Sequence, residues 1–316
     1  MEYRQLGRSG VPVSVIGVGG NQFGSGADEQ QTARIVDRAI DRGINFIDTA
    51  DMYTRSVSEQ FLGKALQGKR DQVVLATKTG MRMNDGPEGT GLSRRRIMAA
   101  VDASLKRLNT DYIDVYYMHA PDPRTSIDET LRAMDDLVTA GKIRYCAFSN
   151  FAGWQTAEVI GLCERRGYQA PVVNQDLYNL IERGIEQELI PACEHFGLSI
   201  VPYSPLASGF LTGKYHRGEA VPEGVRGHGN TGWQERRLTD KNFTILEVVE
   251  KFAAEHDRSV SELAIAWLLG HKVVCSVIAG ATKPEQIDAN ADAADWKLSD
   301  EDMAEIDRRL AEAGAL

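Results

Sequence analysis

Eight times along this 316-residue chain a short apolar run gives way to a loop and then to an amphipathic helical window, and that alternation limits the possible folds more than any other feature. The apolar runs fall at residues 15–18, 45–48, 73–77, 113–118, 143–148, 172–175, 199–203 and 274–278. Nearly continuous apolar strands are covered on both faces, and strands separated by helices pair in parallel. Helical spacing of apolar residues marks the windows 31–42, 57–66, 94–108, 127–140, 154–166, 186–196, 243–256, 260–269 and 284–291. Ser93, Ser126 and Ser259 stand where N-caps belong, the last with Glu262 three residues on, and Gly43, Gly141 and Gly167 stand where helices stop.

No linker rich in Pro, Gly and Ser divides the chain. The units are therefore expected to close into one α/β domain over residues 1–316, a (β/α)8 TIM barrel, in place of two doubly wound domains. Two segments exceed a bare barrel before the C-terminal extra helix. Residues 4–15, broken by Gly7-Arg8-Ser9-Gly10, predict an N-terminal β-hairpin, and residues 214–237 form a Gly- and charge-rich insertion after strand seven. Long loops on a rigid scaffold tend to be functional.

Charge and cysteine content bear on partners. With 36 basic and 45 acidic residues the chain carries a net charge of −9, which lacks the basic footprint needed for nucleic acid or an anionic membrane. Any bound anion must be met locally. The four cysteines show neither a zinc spacing nor a disulfide framework, no metal site is expected, and no apolar stretch has the length of a signal or a membrane span. The expectation is a soluble cytoplasmic protein, monomeric or homo-oligomeric, acting on a small molecule.

Several motif matches lead nowhere. Gly63 to Lys69 fits a phosphate-loop spacing, but Arg70 follows where Ser or Thr belongs and the match lies within a helix. Gly17, Gly19 and Gly20 suggest a dinucleotide turn, yet Gln22 breaks the pattern at its last glycine. Neither H-E-x-x-H nor G-x-S-x-G occurs.

In a parallel barrel the side chains at the C-terminal strand ends converge on one face. Strand two ends in Asp48-Thr49-Ala50-Asp51-Met52-Tyr53, strand three in Thr77-Lys78-Thr79, and strand four in Met118-His119. An acid, a phenol, an ammonium and an imidazole thus meet at one rim. Lys78 is expected to pull the Tyr53 phenol below its ordinary range, Asp48 to pair with Lys78, and His119 to orient a carbonyl oxygen, leaving Tyr53 as general acid.

The run from Gly43 through Asp48 and Tyr53, followed by Glu59 and Leu62-Gly63, resembles the aldo-keto reductase signature, and Lys78 and His119 complete that family's tetrad. The chain is similar to the bacterial and potassium-channel β-subunit side of the family more than to aldose reductase. The resemblance implies NADPH, with NADH as a possible substitute, and hydride transfer between nicotinamide and a carbonyl or alcohol, with Asp48, Tyr53, Lys78 and His119 catalytic and Tyr53 the proton donor. It implies that Gly20, Asn21 and Asp48 adjoin the cofactor, that Ser149, Asn150 and Gln175 hold the carboxamide, and that Tyr203 stacks on the ring. Ser204, Leu206, Ser208, Gly209 and Lys214 are then the pyrophosphate rim. Gly280, Thr282, Lys283, Gln286 and Asn290 correspond to the adenosine-phosphate segment, where Gly280 and Gln286 depart from the family's Lys and Arg and Lys283 supplies the charge.

The substrate pocket is expected to include Asn21, Phe23, Tyr53, Met81 and His119, together with the loop 81–91. Two alternatives use the same residues: a sugar or alcohol dehydrogenase running oxidatively on NAD(P)⁺, and a nicotinamide-binding regulatory subunit with little turnover.

Overall fold

A computed structural model describes residues 1–86 and 88–316; Pro87, in the loop 81–91, lies outside the described residues. Eight parallel strands close into a barrel in chain order: β1 (Ile16–Gly19), β2 (Phe46–Asp48), β3 (Val74–Thr79), β4 (Ile113–Met118), β5 (Ile143–Ser149), β6 (Val173–Leu177), β7 (Ser199–Tyr203) and β8 (Val277–Gly280). The helices α1 (Glu29–Asp41), α2 (Val57–Ala65), α3 (Arg94–Leu108), α4 (Ile127–Thr139), α5 (Gly153–Arg166) and α6 (Leu189–Phe196) follow β1 to β6 in turn. Between β7 and β8 come α7 (Thr231–Arg237), α8 (Asp240–Glu255) and α9 (Val260–Gly270), and after β8 come α10 (Pro284–Ala293) and α11 (Asp300–Glu312).

The twofold alternation of each strand sorts side chains into two cores. Phe46, Ala76, Val115, Tyr117, Ala147, Val173, Val201 and Ile278 point into the barrel, while Ile47, Leu75, Tyr116, Phe148 and Ile200 pack outward against the helices. The predicted hairpin, Tyr3–Gln5 paired with Pro12–Ser14, closes the barrel's floor, because Leu6 and Val13 join the inner cluster. Gly7 is required there. It has φ +58, and a Cβ on it would lie 2.1 Å from the Val172 carbonyl oxygen.

Most predicted element boundaries hold to within a few residues. The eighth strand is the exception, running over Val277–Gly280 and not 274–278; Val274 instead makes an isolated bridge to Ile200 as the chain enters the barrel from below. Helix α7, inside the insertion, was not expected. Ser93 caps α3 by accepting from Arg96 N at 3.2 Å, and Ser259 and Glu262 form a capping box on α9. Ser126 stands at the N-cap of α4 without the expected side-chain bond. The glycine of the discarded phosphate-loop match has a packing role: a Cβ on Gly63 would lie 2.4 Å from the Arg107 carbonyl oxygen, so its absence lets α2 lie close against α3. All four cysteines are free and buried. Among the described residues no helix is long and apolar enough to cross a membrane.

Candidate active site

Inward-pointing positions at the upper ends of the strands are polar, in contrast to the apolar layers beneath. Asp48 on β2, Lys78 on β3, His119 just beyond β4, Ser149 on β5, Gln175 on β6 and Tyr203 on β7 each follow an inward-facing apolar residue by two positions or by a multiple of two. Asp48 and Lys78 are buried and ion-paired through Oδ2 and Nζ. Nζ also donates to the Thr49 carbonyl at 2.9 Å and lies 3.4 Å from the Tyr53 hydroxyl oxygen, while Gln175 Nε2 donates to the other Asp48 oxygen at 2.9 Å. The ammonium is therefore held by Asp48 and the Thr49 carbonyl, with Asp48 itself anchored by Gln175, and aimed at a phenol.

The electrostatics differ from the expectation at one point. Burial raises the Tyr53 phenol above its ordinary range and outweighs the opposing pull of Lys78, so the expected net lowering is corrected. Lys78 stays protonated: burial would lower it, but Asp48 and Tyr53 together hold it above the ordinary lysine range. Burial likewise raises the Asp48 carboxyl, against the pull of Lys78. His119 is pushed down to about 3, first by burial and then by the Lys78 ammonium, so it is a neutral imidazole. Its ring meets Tyr53 edge to face with centroids 5.8 Å apart, and its buried Nδ1 has no protein partner. A neutral imidazole that carries its proton on the other ring nitrogen, Nε2, has an N–H donor to offer a carbonyl oxygen beside a protonated phenol.

A polar chain runs on around the rim. Asn150, with φ +61, donates from Nδ2 to the His119 carbonyl and to Ser149 Oγ, both at 3.0 Å, and accepts from the Tyr203 hydroxyl at 2.9 Å. Tyr203 is thus tethered across the end of β6, between β5 and β7. Beyond it, Leu206 (φ −95) and Ala207 (φ +47) alternate right- and left-handed backbone, the arrangement of an anion-binding nest, with Ser204, Ser208 and Gly209 also at positive φ. The unexpected α7 lies against this segment, Trp233 Nε1 donating to the Ser208 carbonyl at 3.3 Å. Lys214 is exposed on the insertion.

On the β8 side, the Gln286 side-chain oxygen accepts from Thr282 N at 2.7 Å and Lys283 N at 3.1 Å at the start of α10, so an anion there would compete with an internal cap. Lys283 is exposed and Asn290 is buried on α10. Asn21 is exposed, and its Oδ1 lies 2.9 Å from where a Cβ on Gly280 would stand, which brings the loop after β1 beside β8. Gly20 is buried behind it.

Of the substrate-pocket residues, Met81 is exposed at the rim. Phe23 does not belong to that wall: it is fully buried in the outer core, because the turn from Gly20 to Ala27 folds its ring under the loop. A cavity of about 560 Å³ lined by Arg8, Arg144 and His195 lies at the opposite end of the barrel, beside the strand starts, and shares no residue with this constellation.

Sequence reasoning named Asp51 and Glu59 without giving them a role and passed over Arg96 and Arg107; the four form a second ionic layer, with the carboxylates buried and the arginines partly so. Asp51 Oδ2 accepts from Thr79 Oγ1 at 2.9 Å and Arg96 at 3.0 Å, and Glu59 accepts from Thr77 Oγ1 and Arg107, both at 2.6 Å. The signal lay in the alternation on β3, which sends Lys78 inward and both threonines outward.

A closed parallel (β/α)8 barrel with polar, partly buried ionisable groups at its C-terminal mouth defines an enzyme-like scaffold of the TIM-barrel class. The profile of the Aldo/keto reductase family matches residues 15–311, and the chain belongs to that family. It is 36% identical over 302 residues to a probable voltage-gated potassium channel subunit beta of Arabidopsis thaliana, covering 93% of this chain and 92% of that protein. It is 38% identical over 298 residues to an uncharacterized oxidoreductase of Bacillus subtilis (91% and 89%), and 33% identical over 327 residues to the L-glyceraldehyde 3-phosphate reductase of Escherichia coli K12 (99% and 93%). Family and relatives together make the chain an oxidoreductase of the carbonyl-reducing kind, with a nicotinamide cofactor typical of the family.

Proposed function

We propose that this chain, acting as one barrel domain, reduces an aldehyde or ketone to the alcohol with NADPH, and that Tyr53 delivers the proton. The observation that carries this reading is the Tyr53 hydroxyl standing 3.4 Å from a buried Lys78 ammonium that Asp48 and the Thr49 carbonyl hold in place. Bound nicotinamide supplies a hydride to the carbonyl carbon. Tyr53, kept protonated by burial, gives its proton to the carbonyl oxygen, and Lys78 stabilises the phenolate left behind. Neutral His119 hydrogen-bonds that oxygen and fixes the carbonyl's face.

The remaining rim suits the cofactor's parts. The tethered Tyr203 ring is a stacking platform, Ser149, Asn150 and Gln175 offer amide and hydroxyl partners for a carboxamide, and the nest at Ser204, Leu206, Ser208 and Gly209 with Lys214 suits a pyrophosphate. Lys283, Thr282 and the α10 N-terminus favour the extra phosphate of NADPH, with Gly280, Gln286 and Asn290 alongside. These local donors meet the anion that the net charge of −9 disfavours.

NADPH oxidation with a simple aromatic aldehyde tests the reading. The wild-type protein turns over, and Tyr53→Phe loses about 10²- to 10⁴-fold in kcat while still quenching Trp fluorescence on binding NADPH. Turnover unaffected by Tyr53→Phe overturns the assignment. The similarity to channel β subunits favours one second reading, a nicotinamide-binding regulatory subunit, which predicts cofactor binding with no turnover of any carbonyl in either direction.

A further inference from the structure

Directly after Tyr53 the chain turns through three consecutive left-handed residues, none of them glycine: Thr54 (φ +47), Arg55 (φ +55) and Ser56 (φ +72). Such backbone is costly for residues with a Cβ and persists where surrounding structure enforces it, often at functional sites. Two of the three have a visible reason to be there. Thr54 Oγ1 donates to the Phe23 carbonyl at 2.7 Å, and Ser56 Oγ donates to the Asp51 carbonyl at 2.8 Å, so both side chains pin the turn.

Arg55 pins nothing. Its side chain is exposed and, among the described residues, makes no hydrogen bond and meets no carboxylate. Most arginines on the loops and helices after β2, β3 and β4 behave differently: Arg82 meets Asp85, Arg96 meets Asp51, Arg107 meets Glu59 and Arg124 meets Asp122, while Arg132, which also lacks a carboxylate partner among the described residues, lies in the middle of α4 on the outside of the barrel and not in the turn that follows Tyr53. At the mouth, Lys78 is consumed by Asp48 and His119 is neutral. Arg55 is thus an uncommitted cation two residues from the proton donor, on a protein whose net charge of −9 otherwise repels anions.

We propose that Arg55 is a specificity-determining residue that receives an anionic group of the substrate, so that the preferred substrates are aldehydes or ketones bearing a carboxylate or phosphate near the carbonyl. The inference rests on the proposed carbonyl reduction. A planar guanidinium suits either anion through paired N–H donors, and the strained turn holds its Cα at a fixed distance from the Tyr53 hydroxyl.

The test compares kcat/KM for two matched pairs, benzaldehyde with 4-carboxybenzaldehyde and glycolaldehyde with its phosphate, in wild type, Arg55→Lys and Arg55→Gly. Glycine adopts φ +55 freely, so Arg55→Gly removes the cation without endangering the fold. Wild type is expected to favour the charged member of at least one pair by about fivefold or more, through KM, with the advantage shrinking at high salt. Arg55→Gly loses that ratio and Arg55→Lys keeps part of it. Which pair shows the effect separates a carboxylate from a phosphate preference. Calorimetric titration of 4-methylbenzoate, which has no alcohol or carbonyl to react, into the protein with NADP⁺ gives a readout independent of turnover, with affinity falling about fivefold or more in Arg55→Gly. Charged-to-neutral ratios and affinities equal in wild type and Arg55→Gly overturn the inference. If no aldehyde is reduced by wild type, the proposed function fails instead, and the titration alone decides on Arg55.

Discussion

Strand β3 separates two buried ionic layers that are alike in composition and opposite in use. On its inner face Lys78 meets Asp48 beneath an open mouth; on its outer face Thr77 and Thr79 meet Glu59 and Asp51, which Arg107 and Arg96 neutralise under α2 and α3. Each layer puts carboxylates at 1% exposure or less against a cation. What differs is the neighbour. The inner pair ends on a phenol and a neutral imidazole with a free ring nitrogen, whereas the outer pairs end on threonine hydroxyls and helix surface. A buried ion pair is thus no sign of chemistry by itself; its access to a reacting group is.

Single substitutions on the two faces put that contrast at risk, and the largest effect belongs inside. Lys78→Met is expected to cost about 10²-fold or more in kcat, because the proposed Tyr53 phenolate would lose the ammonium 3.4 Å from its oxygen. Glu59→Gln, outside, leaves Arg107 uncompensated and is expected to lower unfolding free energy by about 3–5 kcal/mol in denaturant titration, with kcat of the folded protein within about threefold of wild type. Equal losses of kcat on both faces would erase the distinction.

A smaller and sharper check concerns His119. With its value near 3, the ring nitrogens are expected to show no titration between about pH 5 and 8 by ¹⁵N NMR, and the reduction profile no limb from this imidazole. Protonation near neutrality would mean that water reaches the inner layer far more freely than its burial implies. The smallest effect falls at the edge of the mouth. Lys283→Ala should weaken NADPH about two- to tenfold by fluorescence titration while leaving NADH almost unchanged, since an exposed cation contributes modestly. An unchanged NADPH/NADH ratio removes Lys283 from the phosphate site.

Much of this was legible before any fold was known. Ile113–Met118 and Ser199–Tyr203 are strands at the positions their apolar runs predict, and Asp48, Lys78 and His119 were found by asking which polar residues end successive strands. Other features were hidden for physical reasons. The pull of Lys78 on Tyr53 could be inferred from proximity, but the larger burial effect depends on everything packed around the phenol. Phe23 sits in a loop whose composition looks exposed, and only the turn's closure shows that its ring goes inward. Helix α7 is short and rich in charge, and it is fixed through Trp233, which packs with Tyr215 at the start of the insertion and with Phe210 in the segment before it.

Local periodicity, then, specified the barrel: strands of period two and helices of period 3.6 can bury their apolar faces together in few ways, and eight repeats close the sheet. The same periodicity dictated which side of each strand a residue takes, and so which residues share the mouth. It carried no information on distance from solvent. Whether Tyr53 is protonated, whether His119 is neutral and whether Arg55 is left without a partner depend on groups brought together from across the chain, because desolvation and pairing act through space and not along the sequence.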